Sequence, residues 1–343
     1  MKKLYGNDSL RERSCQMKKT AAWLCLLLGL LLAGSALAEP IVFGSVSAEK
    51  NADVIDMGTQ VVETKQLEDF IAFLQSFPNL RRVDMFATQV TQTVVQKLEE
   101  ALPDVEFGWT LQLMKYKNKH IVRTDAEVFS TLHGICPNHK SEDFYLLKYC
   151  TRLLALDLGH NNLTDISFLE NMPRLRVLIL GENQKLKNIE PIAGLKDLEY
   201  LELFTCAFTD ITPLTRLPNL TDLNLANNKV KDWRPLKEMK QLKRLWISGM
   251  CDHAMSAADK KELREALPDT QIIFTGQPTE NGWRTIPKTK KNHPHYAVIY
   301  EMFHTGTYIP FEESAPLPVE EDTSDQVFLI TEDLEDLDFP DGN

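Results

Sequence analysis

The chain predicts an α/β solenoid, with a curved parallel β-sheet on the concave face and short helical turns or helices on the convex face. Three observations predict it. A phrase of leucines recurs five times between Leu153 and Ile247. Its copies start 22, 23, 22 and 22 residues apart, and each contains an apolar step of period two. The first copy runs Leu153, Leu156, Leu158, Asn161, Leu163, Ile166 and Leu169. The same slots return from Leu175, Leu198 and Leu220, and Leu242, Leu245 and Ile247 open a fifth copy.

The period-two step predicts one short strand per copy, its leucines inward and its other residues outward. One such unit cannot bury its own apolar side, whereas a stack shares a continuous core. The Asn slot falls where the chain leaves the strand, so a buried amide there can satisfy backbone groups of neighbouring turns. Cys206 takes that slot in the third copy. The back half of each copy carries Asp165, Asn188, Asp210 or Asp232, and three of the four add Pro191, Pro213 or Pro235. Asx residues cap helical turns and proline suits a first helical position, which predicts a short convex turn.

The L-x-x-L-x-L-x-x-N-x-L pattern at this period resembles the leucine-rich repeat. The phrase Asp210-Ile211-Thr212-Pro213-Leu214, with Leu217 and Leu220, resembles the short bacterial repeats of the internalin type. The resemblance covers about a third of the chain and implies a secreted or surface protein that binds another macromolecule. It names no partner, and the sequence shows no L-P-x-T-G sorting motif.

Residues 1–38 read as a secretory signal. Lys18 and Lys19 precede an apolar run from Ala21, and Ala36-Leu37-Ala38 offers small residues before Glu39. Met17 is an alternative start, and an uncleaved membrane anchor is the rival reading. Residues 39–52 read as a linker. Residues 53–152 read as divergent long repeats. Ile55-Asp56-Met57 and Val83-Asp84-Met85 are strand centres 28 residues apart, and Leu67, Phe70, Ile71 and Leu74 lie on one helix face between them. A unit of this length resembles the repeat of ribonuclease inhibitor. His120-Ile121-Val122 suggests a strand, and Phe144, Leu147 and Leu154 a helix leading into the regular array.

Residues 153–275 hold the regular repeats and a C-terminal cap. The cap helix shares its Leu-x-Glu-Ala-Leu-Pro-Asp phrase with residues 98–104, and Ser256 is placed to cap it. Residues 276–311 read as an extension packing on that cap. Residues 312–343 hold twelve of the 49 acidic residues and no Lys or Arg, which reads as an acidic disordered tail. The net charge of −11 therefore belongs to the tail, and the body shows no basic stripe of a nucleic-acid binder.

Four cysteines follow residue 38: Cys136, Cys150, Cys206 and Cys251. Cys136 and Cys150 are placed to pair or to stay reduced. Cys206 and Cys251 sit two repeats apart, too far for a bond. His293-Pro294-His295 lacks the acidic or cysteine ligands of a metal site, and no G-x-S-x-G, Walker or H-E-x-x-H motif is present. No metal, cofactor or catalytic residue is expected.

The outward strand residues remain. Phe86 belongs to the early region. Asp157, Ile179, Tyr200, Glu202, Phe204, Asp222, Asn224, Arg244 and Trp246 belong to the regular array. Aromatic anchors ringed by charges on one surface are what interfaces favour. The sequence thus predicts a monomeric, secreted or surface-exposed, non-enzymatic module. It would bind a protein through an exposed concave face, without nucleic acid and without a membrane span once the signal is removed. The rival readings are a hydrolase-type enzyme with its site in 108–152 or 276–311, and a self-associating structural surface component.

Overall fold

A computed structural model describes residues 39–310, apart from 89, 114–119, 132–137, 252, 278, 280–281 and 287–288. The expected signal, the acidic tail and Cys136 lie outside the described residues. The chain divides into two compact units at residues 110/111.

In the first unit the expected linker carries structure. Strands β1 (Ile41–Phe43) and β2 (Val46–Ala48) pair antiparallel, with Gly44 turning between them at φ +58°. Phe43 packs 5.0 Å from Phe70 and 5.5 Å from Phe73, so an aromatic cluster holds the hairpin on the unit. Strand β3 (Val54–Asp56) leads to helix α1 (Leu67–Gln75), which buries Leu67, Phe70, Phe73 and Leu74. Strand β4 (Arg82–Met85), helix α2 (Gln92–Ala101) and strand β5 (Glu106–Leu113) follow. The strands are parallel, with Ile55 beside Val83 and Val83 beside Phe107, so the expected strand centres are the paired ones. The Thr91 side chain caps α2 through the Val94 amide. Phe86 is half-buried here, lying over Gly108 with the Arg82 guanidinium 5.9 Å from its ring.

The second unit takes the end of β5, then β6 (His120–Arg123) and β7 (Val128–Ser130). The expected helix from Phe144 towards Leu154 is two 3-10 turns ending at Tyr149. Strands β8 (Ala155–Asp157), β9 (Val177–Ile179), β10 (Tyr200–Glu202), β11 (Asp222–Asn224), β12 (Arg244–Trp246) and β13 (Gln271–Ile273) complete a seven-stranded sheet in chain order from β7, parallel throughout. Leu156, Leu178, Leu201, Leu223 and Leu245 stand in register across it, all buried.

Each regular repeat returns through a five-residue 3-10 turn: Ser167–Asn171, Glu190–Gly194, Thr212–Arg216 and Arg234–Glu238. The Asx side chain acts one step earlier than a helix cap. Asp165, Asn188, Asp210 and Asp232 each accept a bond of 2.8–3.0 Å from the amide two residues on, the first N–H of the turn. The Asn slot ties repeats together. Asn183 Nδ2 donates to the carbonyls of Leu158 and Leu180, and its Oδ1 accepts from the Leu163 amide. Asn228 does the same for Leu203, Leu225 and Cys206.

Helix α3 (Ala257–Ala266) closes the last repeat with Leu263 buried, and Ser256 and Asp259 form its capping box. Cys150 and Cys206 are buried free thiols, and burial pushes each up to about 12. Among the described residues no helix is long and apolar enough to cross a membrane.

Candidate functional site

Strand alternation sends the expected site residues to one face, as their sequence positions require. The expectation that this face lies open is corrected. Asp157, Ile179, Tyr200, Glu202, Phe204, Asp222, Asn224, Arg244 and Trp246 are all 2 % exposed or less. The cause is the chain's own C-terminal extension. It meets the cap only through Ile273 of β13 and lies mainly on the outward face of the sheet, ending in helix α4 (Pro294–Thr305). Trp283, Ile299 and Met302 are buried against Ala155, Val177, Ile179, Tyr200, Phe204 and Trp246, with Tyr296, Val298 and Phe303 packed beside them. This is a second core, on the opposite side of the sheet from the leucines.

The sequence held a signal for α4. Pro294 is at its first turn, the His293 side chain accepts from the His295 amide, and Gly306 ends it at φ +72°. Proline at the start and glycine just past the end is the ordinary polarity of a helix. Tyr296, Ile299 and Phe303 then fall at helical spacing. The two histidines around the proline obscured that pattern. His293 is buried, which drives its pKa down to about 3 with help from the charges of Arg244 and His295. Among the described residues no three His, Cys, Asp or Glu side chains gather as a metal site.

Three carboxylates are buried on this face, and their partners differ. Glu202 accepts from the Tyr200 hydroxyl, from Trp283 Nε1 at 2.8 Å and from Arg284, which uses two nitrogens on its two oxygens. Arg284 also lies over Tyr296, 4.8 Å from its ring centre. Asp222 accepts from Arg244 at 2.8 Å, and His295 Nδ1 stands 3.0 Å away. Burial works to raise the Asp222 pKa, and Arg244, His295 and Thr221 more than offset it, so the group stays below its usual value. Arg244 donates again to the Gly282 and Trp283 carbonyls and lies 4.2 Å over the Trp283 ring. Asn224 accepts from the Ala226 amide.

Asp157 is the third. It accepts from the Gly159 amide at 2.9 Å and from the Ser130 side chain. Burial pushes its pKa up to about 7, restrained by those bonds and by Arg284 and reinforced by Glu202. It lines a cleft of about 260 Å³ between α4 and strands β7 to β9, together with Ser130, Ile179, Tyr296, Ile299, Tyr300, Phe303 and His304. Tyr300 is 53 % exposed at the cleft, and its ring stacks on His304 at 5.9 Å and 8°. Two larger hollows have a different character. One of about 390 Å³ lies among Arg174, Arg176, Asp197 and Glu199, where Arg176 and Glu199 pair with each other. The other, of about 340 Å³, lies beside Met250, Cys251 and Met255.

Residues 151–194 match the family of leucine-rich repeats described as two copies. The geranylgeranyl transferase type-2 subunit alpha of Sus scrofa is 31 % identical over 124 residues, 35 % of this chain and 22 % of that protein. A Roc-COR-CHAT protease of an unknown prokaryotic organism is 33 % identical over 87 residues, 25 % of this chain and 8 % of that protein. The chain thus spans less than a quarter of the curated relatives it matches. Among solved structures, an internalin of Listeria monocytogenes aligns at a TM-score of 0.35 and 18 % identity, covering 60 % of this chain and 57 % of that one. Internalin C2 of the same organism aligns at 0.34 and 20 %, covering 67 % and 85 %. The repeat match, the in-register leucines and the seven parallel strands make the fold of residues 128–273 a leucine-rich repeat solenoid.

Proposed function

We propose that the chain is a secreted or surface-exposed protein-binding module without catalysis of its own, and that its partner docks over the cleft between α4 and strands β7 to β9. The observation that supports this reading is the Tyr300–His304 stack. An aromatic ring is held in solvent beside a concavity, while its helix neighbours Ile299 and Met302 are spent on the sheet. Interfaces favour aromatic anchors next to pockets. The sheet residues serve the site indirectly by seating α4, and Asp157 and Ile179 also line the cleft. The secreted location rests on the apolar run and small residues that precede Glu39.

The test is site-specific photocrosslinking in the protein's own surroundings, with the probe at position 300 or at exposed Lys187. A partner captured from position 300 and not from 187 is expected. Tyr300→Ala should then weaken that partner's binding roughly thirtyfold, the effect of losing an anchor worth about 2 kcal/mol, with no change in the unfolding midpoint. Equal capture from both positions, or full binding by Tyr300→Ala, removes this reading.

A further inference from the structure

Of the three buried carboxylates on the outward sheet face, two already have a cation. Glu202 has Arg284, and Asp222 has Arg244 with His295 beside it. Asp157 has none at ion-pair distance among the described residues; its donors, the Gly159 amide and the Ser130 side chain, are neutral. A carboxylate can accept about four hydrogen bonds, so acceptor capacity remains. A buried carboxylate without a paired charge is costly, and this one lines a cleft rather than a sealed core. Arg284 reaches Asp157 electrostatically, but its nitrogens are engaged with Glu202 and the two charges largely cancel.

The rest of the cleft narrows the chemistry. Tyr296, Tyr300, Phe303 and His304 supply four aromatic rings, and Ile179 and Ile299 supply aliphatic surface. An alkylammonium gains from both the carboxylate and the ring quadrupoles. A neutral group of the same shape gains only the apolar part, and an anion is repelled. The volume of about 260 Å³ lies below the roughly 300–1,000 Å³ of drug-sized sites, which suits one alkylamine chain. From this we propose that the cleft binds a cationic alkylamine, free or as a lysine side chain, with the ammonium on Asp157 and the stem along Ile179 and Ile299. The lysine source rests on the reading of this cleft as the docking surface.

Binding of a cation competes with the proton on Asp157, so it is pH-dependent. The titratable and charged groups facing Asp157 are Glu202 from β10, Arg284 from the preceding segment, and Tyr296, Tyr300 and His304 from α4. With Asp157 titrating at about 7, affinity should fall about tenfold from pH 8 to pH 6.

The experiment is calorimetric titration of the full chain with n-butylammonium, with Nα-acetyl-lysine methylamide and with n-butanol. Both amines should bind, butanol should not, and Asp157→Asn should weaken the amines at least tenfold. Asparagine keeps the shape and removes a buried charge, so the variant should stay folded. The pH series on the unaltered chain serves as a second readout that needs no variant. Preference for the lysine derivative assigns the source to a partner's side chain, and equal affinity assigns it to a free amine. The proposal is overturned if no amine binds, if butanol binds as well, or if Asp157→Asn and pH leave amine affinity unchanged. Tyr300→Ala keeps Asp157 in place. Loss of partner binding in that variant, with no amine binding to the unaltered chain, would keep the docking surface and remove the amine.

Discussion

Trp283 Nε1 donates a 2.8 Å hydrogen bond to Glu202 Oε1 from 81 residues further along the chain. That bond marks where the C-terminal segment meets the sheet. Arg284 closes on the same carboxylate, the Trp283 ring lies 5.5 Å from Tyr200, and α4 then runs on over Phe204 and Ile179. The strand face that repeat proteins often leave open is here the floor of a second core. Charged residues on it are therefore structural first: each of Glu202 and Asp222 is matched to an arginine before any partner arrives.

Phe204→Ala and Trp246→Ala should be strongly destabilising. Both rings are buried between sheet and extension, and truncating a buried Phe or Trp costs about 3–5 kcal/mol. Urea unfolding monitored by circular dichroism should show both midpoints lowered. An unchanged midpoint in both would mean that α4 leaves the sheet in solution. Gly181→Ala should act in the same direction, because its new Cβ would overlap the Phe204 ring at a cost of about 1–3 kcal/mol.

Glu202→Ala should cost more than Trp283→Phe. The first strands the buried Arg284 guanidinium, and breaking a buried pair from one side costs about 3–5 kcal/mol. The second keeps an aromatic ring near Tyr200 and Arg244 and chiefly loses one indole bond to a charged carboxylate, about 1.5–3 kcal/mol. Comparison of the two unfolding midpoints checks the order, and the reverse order would contradict the network described.

The repeat frame was legible because it is periodic. Leu156, Leu178, Leu201, Leu223 and Leu245 announce their own register, and the Asn slot announces its carbonyl partners. The face on which Tyr200, Phe204 and Trp246 project was legible from alternation alone. What covers that face was not, since the contact between residues 202 and 283 is no part of the repeat. Strand β7 and the strands of the β1–β2 hairpin, each three residues long like β8 to β12, lie outside the recurring leucine phrase, so no period announced them. Helix α4 was hidden by Pro294, which begins the helix rather than breaking it.

Leu201→Ala and Leu223→Ala test the inner core. Each leucine is fully buried and paired in register with the other, and each truncation should cost about 2–5 kcal/mol. Asn183→Ala leaves the Leu163 amide without its acceptor and the Leu180 carbonyl with only the weak Cys206 thiol donor, while the Leu158 carbonyl keeps its bond from Asn161 Nδ2. At roughly 1–3 kcal/mol for a buried group left unsatisfied, it should lower the midpoint clearly, though by no more than the leucine variants. An Asn183→Ala midpoint close to that of the unaltered chain would show that water reaches the turn.

Asp157 and His293 should tilt the pH profile in opposite directions. The folded state holds the Asp157 proton up to about pH 7, whereas the unfolded chain releases it near 3.8. Between those values the folded state binds more protons, so this group's contribution to stability falls as pH rises through the window. The raw shift corresponds to roughly 4 kcal/mol over the interval. His293 runs the other way. Its folded pKa of about 3 lies below the usual 6.5, so the unfolded chain takes up a proton first and stability falls as pH drops below about 6.5. Asp157→Asn should therefore raise the unfolding midpoint at pH 8 while changing little at pH 4, where the native carboxyl is already neutral. His293→Gln should do the reverse, flattening the acid side and leaving pH 8 nearly unaltered. Midpoints measured from pH 4 to 8 on the unaltered chain and both variants separate the two. If Asp157→Asn lowers stability at pH 8, the carboxylate is paired there, and the open acceptor assigned to the cleft is filled by the chain itself.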